Sequence, residues 1–268
     1  MRTLIAGLWL ASLLASGTAV AQPAPFNDVG VTMGHWHLAS QDVQANKKIF
    51  VGMGGTPSAP GAGESVRFPG VLINLGLGTT PGSGGTVGSV VNHVGFIVNN
   101  VQEQVAKWKA AGVPVLPGGN GRLDQAFVVT PDGLRIEILE DKAQGVPIRN
   151  EHVHFSLPEA EIAKAQAWYA KTFGGKAATR ANAPVVDLPG VQLRFAKADA
   201  AQAPTKGRVL DHIGFDVKDL QATIQRIEAQ GIKLDQPYRK NETTGVAITY
   251  ITDPWGTRIE LVQRAPAS

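Results

Sequence analysis

The chain has six histidines, at positions 35, 37, 93, 152, 154 and 212. Taking the first of each cluster gives successive spacings of 58, 59 and 60 residues. A fixed period of this size is the mark of one supersecondary unit used several times over. The stretches opened by these residues are alike: His35-Trp-His-Leu, His93-Val-Gly-Phe, His152-Val-His-Phe and His212-Ile-Gly-Phe.

Each stretch alternates polar and apolar residues, as a strand with two unlike faces does. Val153, Phe155 and Leu157 share one face; His152, His154 and Ser156 share the other. A helix signal follows each strand. Asp219 can cap a helix whose apolar stripe is Leu220, Ile224 and Ile227 and whose stop is Gly231. Asn100 stands in the same place in the second unit, with Val101, Val105 and Trp108 as the stripe. The third unit predicts a helix from about Glu159 to Phe173, stopped by Gly174-Gly175, and the first a weaker one from about Asp42 to Val51. Short extended runs complete each unit. The chain is thus predicted to be α+β: four βαβββ modules paired into two cup-shaped mixed sheets, with the helices outside.

A second level of repetition divides the units into two kinds. Units one and three share His-x-His and then Pro-Gly-Val (Pro69 to Val71, Pro189 to Val191). Units two and four share His-x-Gly-Phe and then Gly-x-Arg-Ile-Glu (Gly133 to Glu137, Gly256 to Glu260). Pairing neighbours places the domains at 31–143 and 148–264. The period alone leaves open whether the units pair as neighbours or exchange partners. The glycine-rich stretch 76–89, which joins units one and two, lacks the Gly-Lys-Ser/Thr ending of a phosphate loop and reads as a flexible linker.

Composition removes several function classes. There are no cysteines, so disulfides, zinc-thiolate sites, iron–sulfur clusters and cysteine nucleophiles are excluded. A net charge of +3 without a basic run longer than Lys47-Lys48 argues against nucleic-acid binding. At the N-terminus, Arg2, the uncharged run Leu4–Leu14 and Ala19-Val20-Ala21 read as a signal peptide over 1–21. The run is too short for a bilayer core of about 30 Å. The expectation is a periplasmic or secreted protein with no membrane span after cleavage, free to form homo-oligomers.

The last strand of each half carries a carboxylate between apolar residues: Glu137 in Arg-Ile-Glu-Ile and Glu260 in Arg-Ile-Glu-Leu. Each half therefore holds, at matching places on polar strand faces, the first histidine of each of its two units and a glutamate. With neighbours paired, the sets are His152, His212 and Glu260, and a second set of His35, His93 and Glu137. Two imidazoles and one carboxylate suit a divalent metal and leave positions open for substrate or water.

In its βαβββ repeat, its histidine-opened strands, the Trp168-Tyr169 to Phe173-Gly174 helix end and Asp253-Pro-Trp-Gly256 before Arg-Ile-Glu260, the chain resembles the vicinal-oxygen-chelate superfamily of glyoxalase I, extradiol dioxygenases and bleomycin or fosfomycin resistance proteins. The resemblance implies a metal-dependent enzyme acting on a small oxygen-rich molecule with iron, manganese or zinc. Glyoxalase-like members place a fourth ligand on the late strand of the first unit; here Asn74 and Arg194 stand there. Arginine cannot ligate a metal, so Arg194 is expected to bind an anionic substrate group. Tyr250, Asp253, Pro254, Gly256 and Glu260 match the extradiol motif, while the histidine that should fall near 241–243 is replaced by Asn241, Glu242 and Thr243. Tyr250 and His154 are the proton-handling candidates. An extradiol-type dioxygenase is the leading expectation. A lyase or isomerase of glyoxalase type that does not use glutathione, a chiefly cytosolic thiol, is the second. A non-catalytic small-molecule binder is the third.

Overall fold

A computed structural model describes residues 24–61, 63–76 and 82–265. The signal peptide expected at 1–21 lies outside them. No helix among the described residues is long and apolar enough to cross a membrane.

The first unit runs β1 (Val31–Leu38), α1 (Val43–Gly52), β2 (Thr56–Pro57), β3 (Ser65–Phe68) and β4 (Val71–Asn74). The second runs β5 (Val91–Val98), α2 (Val101–Ala110), β6 (Val115–Pro117), β7 (Gln125–Val129) and β8 (Arg135–Glu140). The third has β9 (Ile148–Leu157), α3 (Glu159–Phe173), β10 (Lys176–Arg180), β11 (Ala183–Leu188) and β12 (Val191–Lys197). The fourth has β13 (Leu210–Val217), α4 (Leu220–Glu228), β14 (Gln236–Lys240), β15 (Ala247–Thr252) and β16 (Arg258–Gln263). The βαβββ reading holds in all four.

The helices begin where the sequence supplies a cap. Asp42, Asn100 and Asp219 each accept a hydrogen bond from the backbone N–H three residues on, a contact worth about 1 kcal/mol. α3 ends where Gly174 turns left-handed at φ 67°. In every unit the first strand pairs parallel with the last, with the helix as crossover, and the other strands add antiparallel.

Two eight-stranded sheets result, in the orders β14-β15-β16-β13-β1-β4-β3-β2 and β10-β11-β12-β9-β5-β8-β7-β6. Units one and four share the first sheet, and units two and three the second. The boundaries 31–143 and 148–264 assume neighbours pair, and neither range coincides with a sheet. The joints are antiparallel pairs of first strands, β1 with β13 and β5 with β9. A His-x-His strand lies against a His-x-Gly strand in both. Adjacent and exchanged pairing satisfy that rule equally, so the motifs do not choose between them.

The linkers accompany the exchange. Segments 82–90 and 203–209 run side by side, with Ser83 N–H donating to Gly207 O at 2.8 Å, Val209 N–H to Gly84 O at 2.9 Å and Val90 N–H to Ala203 O at 2.9 Å. A methyl group at Gly82 would sit 2.6 Å from the Arg208 carbonyl carbon. The glycine there permits two backbones to cross closely, which corrects its reading as mere flexibility.

The apolar faces share one core. Trp36 of β1 meets Phe96 of β5 with ring centroids 5.2 Å apart, and Phe173 of α3 meets Phe215 of β13 at 4.6 Å. Each such side chain, fully buried, contributes roughly 1.5–3 kcal/mol. Because side chains alternate along a strand, burying Trp36 here turns His35 and His37 to the far face, where the cup lies.

Candidate metal centres

The registers set the two clusters. Across β1 and β13, His35 lies opposite Gly214 and His37 opposite His212. Across β5 and β9, His152 lies opposite Gly95 and His93 opposite His154. The glycine of His-x-Gly has a steric cause. A methyl on Gly214 would fall 1.9 Å from the His35 ring, and one on Gly95 2.0 Å from that of His152. The partner's imidazole occupies the space over each glycine.

In the one/four cup, Glu260 comes in on β16. Its Oε2 lies 2.9 Å from His35 Nε2 and 3.1 Å from His212 Nε2. Its other oxygen accepts from the Tyr250 hydroxyl at 2.8 Å. Those four side chains are all at most 8% exposed. In the two/three cup, Glu137 on β8 plays the same part, with Oε2 3.3 Å from His93 Nε2 and 3.1 Å from His152 Nε2. Its other oxygen accepts from the Gln125 amide. His35, His37, His212 and Glu260 can offer ligand atoms all within 4.8 Å of one another, as can His93, His152 and His154.

The expected sets are therefore regrouped. His152 is not brought together with His212 and Glu260, nor His35 with His93 and Glu137; each expected set is divided between the sheets by the exchanged pairing. The residues are the expected ones, and the partners differ. Arg194 and Tyr250, expected around one site, lie in different cups. His154 is beside His93, with rings stacked at 4.2 Å, and away from Tyr250.

Arg194 also differs from expectation in its partners. Its guanidinium donates to Glu151 at 2.6 Å and to Gln192 at 2.7 Å. The Glu151 carboxylate offsets part of the charge that an anionic substrate group would meet at Arg194. Asn74 lies opposite His37 on β4, and Arg194 opposite His154 on β12. Asn241 to Thr243 form an exposed turn, closed by N–H groups donating to the Asn241 side chain. Nothing in that turn replaces the missing histidine.

Several site residues were not singled out in the sequence. The residue before each of three histidines engages that histidine's Nδ1: Asn92 at 2.9 Å, Asp211 at 2.7 Å, and Glu151. A partner on Nδ1 fixes the tautomer that leaves Nε2 bare for a ligand bond. The signal was present as an acidic or amide residue ahead of the strand histidine. Arg258 and Arg135 lie over the rings of Tyr250 and Phe127, each 4.2 Å from the centroid. Arg258 also donates to Asp211 at 2.7 Å. That contact explains the arginine of Gly-x-Arg-Ile-Glu in unit four.

The electrostatics favour uncharged imidazoles at His35, His37, His93 and His154, beside ionised carboxylates. Burial pushes His35 and His93 below the usual imidazole value, and the nearby Glu260 and Glu137 carboxylates offset this only in part. Burial takes His37 down to about 4 and His154 to about 2. His212 is raised: burial opposes its charge, but Asp211 and Glu260 outweigh burial. Glu260 and Glu137 are held well below the carboxylate range, since their histidine contacts outweigh the cost of burial. Burial and the neighbouring Glu260 charge push Tyr250 upward, so its hydroxyl keeps its proton at neutral pH.

A divalent metal fits both clusters. The buried atoms His35 Nδ1 and Nε2, His37 Nδ1, His152 Nε2 and His154 Nδ1 have no hydrogen-bond partner. Buried nitrogens left unpaired cost about 1–3 kcal/mol each. Nε2 of His35 and of His152 faces a carboxylate oxygen at ligand-to-ligand spacing, which is what a shared cation relieves.

Residues 152–261 match the model of the Glyoxalase/Bleomycin resistance protein/Dioxygenase superfamily. Comparison with curated protein sequences gives no match. Among solved structures, glyoxalase I from Zea mays is similar at 16% identity and a TM-score of 0.64, over 87% of this chain and 92% of that one. A protein of Bacillus subtilis subsp. subtilis strain 168, designated a candidate dioxygenase, is similar at 15% identity and a TM-score of 0.62, over 90% of this chain and 87% of that one. The sequence match covers the third and fourth units, which here lie in different sheets, while the likeness of fold extends over all four. The sequence match over residues 152–261 is to the glyoxalase, bleomycin resistance and dioxygenase superfamily, and the whole chain is similar in fold to glyoxalase I, with two histidine–glutamate clusters at repeat-related places.

Proposed function

We propose that the protein is an exported, divalent-metal-dependent enzyme that acts on a small oxygen-rich molecule in the one/four cup, in the manner of an extradiol dioxygenase. The observation that carries this reading is Glu260, with one oxygen facing His35 and His212 and the other held by Tyr250. Two neutral imidazoles and one carboxylate leave a net +1 on a divalent centre, which suits an anionic chelating substrate. Iron, manganese and zinc all suit these donors. A bound ion supplies a Lewis acid that polarises vicinal substrate oxygens.

The chain's own residues do the rest. Asp211 holds His212 with Nε2 turned inward. Tyr250 holds its proton on the hydroxyl oxygen, directed at Glu260, and so fixes the rotation of that carboxylate. The two/three cup has Phe127 opposite Glu137, where the one/four cup has Tyr250 opposite Glu260. It offers no hydroxyl at that position. Export is supported by Leu4–Leu14 followed by Ala19-Val20-Ala21.

A lyase or isomerase of glyoxalase type is the second reading, favoured by the absence of a histidine at 241–243. The test is to load the purified protein with iron(II), manganese(II) or zinc(II) and supply catechols with and without dioxygen. Dioxygen consumption with ring opening supports the dioxygenase. Metal-dependent turnover without dioxygen supports the second reading. In either case Glu260→Ala abolishes turnover and Glu137→Ala leaves much of it. The reverse pattern would place the active cup in the two/three sheet.

A further inference from the structure

We propose that the second histidine of each His-x-His strand is itself a metal ligand, so that each cup presents three imidazoles and one carboxylate. The sets are His35, His37, His212 and Glu260 in one cup, and His93, His152, His154 and Glu137 in the other. The inference rests on the metal-binding reading above and adds a ligand to each site.

The case begins with the strand. Residues two apart on one face are separated by roughly 6.6 Å along the backbone. The rings of His35 and His37 have centroids 5.9 Å apart, and those of His152 and His154 are 6.2 Å apart. Both pairs keep close to the strand spacing, and the second ring of each packs on the histidine that the neighbouring strand brings in. His37 comes within 4.6 Å of His212 by ring centroid, and His154 within 4.2 Å of His93.

The hydrogen bonding of His37 decides which nitrogen is free. Its Nε2 is 2.9 Å from the carbonyl oxygen of Gly76. A carbonyl only accepts, so Nε2 carries the proton and the lone pair sits on Nδ1. That Nδ1 is buried without a partner, and so is Nδ1 of His154. A desolvated, bare nitrogen in a cluster of bare nitrogens and ionised carboxylate lacks an electrophile, and a shared cation is one. The spacing agrees. Two nitrogens on opposite sides of one ion, each bonded at about 2.1 Å, stand roughly 4.2 Å apart; His35, His37, His212 and Glu260 can offer ligand atoms within 4.8 Å of one another, as can His93, His152 and His154, and Glu137 stands 3.3 Å and 3.1 Å from Nε2 of His93 and His152. The same pattern has arisen at both His-x-His strands, although their surroundings differ: a Gly76 carbonyl in one cup, and an Arg194–Glu151 pair in the other.

The mature, full-length protein is freed of metal, loaded with copper(II) at neutral pH and examined by pulsed electron paramagnetic resonance, which counts bound imidazoles. Three imidazoles per copper are expected in the unaltered protein. The double variant His37→Gln/His154→Gln should show two, with copper affinity lower by about tenfold or more. Two imidazoles per copper in the unaltered protein would overturn the proposal while leaving the metal-binding reading intact, and this count does not depend on any variant folding. Copper affinity within twofold of the unaltered value in a folded double variant would also overturn it. Failure of the unaltered protein to take up copper at all would bring down both.

Discussion

The two cups are built on one plan and equipped differently. Both place a glutamate oxygen between two imidazoles, and both leave a glycine beneath one of those rings. In the one/four cup the other glutamate oxygen meets a tyrosine hydroxyl, and Arg258 ties that tyrosine to Asp211 and hence to His212. In the two/three cup the equivalent oxygen meets the Gln125 amide, the aromatic partner of Arg135 is Phe127, and the carboxylate behind His152 is shared with Arg194, which makes no cation–π contact among the described residues. Repetition has kept the ligands. The groups that hold or move protons have diverged. On the function proposed above, both cups capture metal and the one with the hydroxyl carries the chemistry.

Substitutions that remove one cup and spare the other sharpen this most. Gly214→Ala drives a methyl into the His35 ring, where nothing short of displacing the imidazole makes room. The cost is roughly 1–3 kcal/mol of overpacking, with loss of metal from the one/four cup and of turnover. Gly95→Ala does the same to the two/three cup and leaves turnover largely intact. Metal analysis and activity assays on both variants check this.

Tyr250→Phe comes next. It removes the hydroxyl and keeps the ring, and turnover is expected to fall on the order of 10²-fold, with metal content unchanged. Gln125→Leu, which breaks the matching contact to Glu137, should leave turnover unaltered. Equal effects from the two would contradict the assignment of chemistry to one cup.

Asp211→Asn and Glu151→Gln weaken the groups behind His212 and His152. Each is expected to lower metal affinity in its own cup by about 10- to 100-fold, as competition with a chromogenic chelator would show. An effect crossing to the other cup would argue against independent sites. The smallest effect is expected from Arg194→Ala. Its pair with Glu151 is partly exposed, so the loss of unfolding free energy in urea should be under about 1 kcal/mol.

Much of this was legible in the sequence because its cause is local. Strand faces, caps and helix stops follow from neighbours in the chain, and Asp42, Asn100, Asp219 and Gly174 all act where their residue types place them. The candidate ligand types were legible too, since four histidines fall on a near-constant period and two strand glutamates recur with them. The partnership was not. A His-x-His strand can pair with either His-x-Gly strand, and the choice shows only in how segments 82–90 and 203–209 cross, which is a matter of long-range contact. The partner of Arg194 was hidden for the same reason. Its type suggested an anion, and the carboxylate of Glu151 that it meets in the fold comes from a strand 43 residues earlier.

The central claim is that each sheet holds one complete set, formed by units one with four and two with three. Zinc stoichiometry in paired substitutions tests it directly. With about two equivalents bound by the unaltered protein, His152→Ala/Glu137→Ala should lose one, since both residues serve the same ion. His152→Ala/Glu260→Ala should lose both. If instead His152→Ala/Glu260→Ala lost only one equivalent and His152→Ala/Glu137→Ala lost two, the sets would be those of adjacent units, and the exchanged architecture would be wrong.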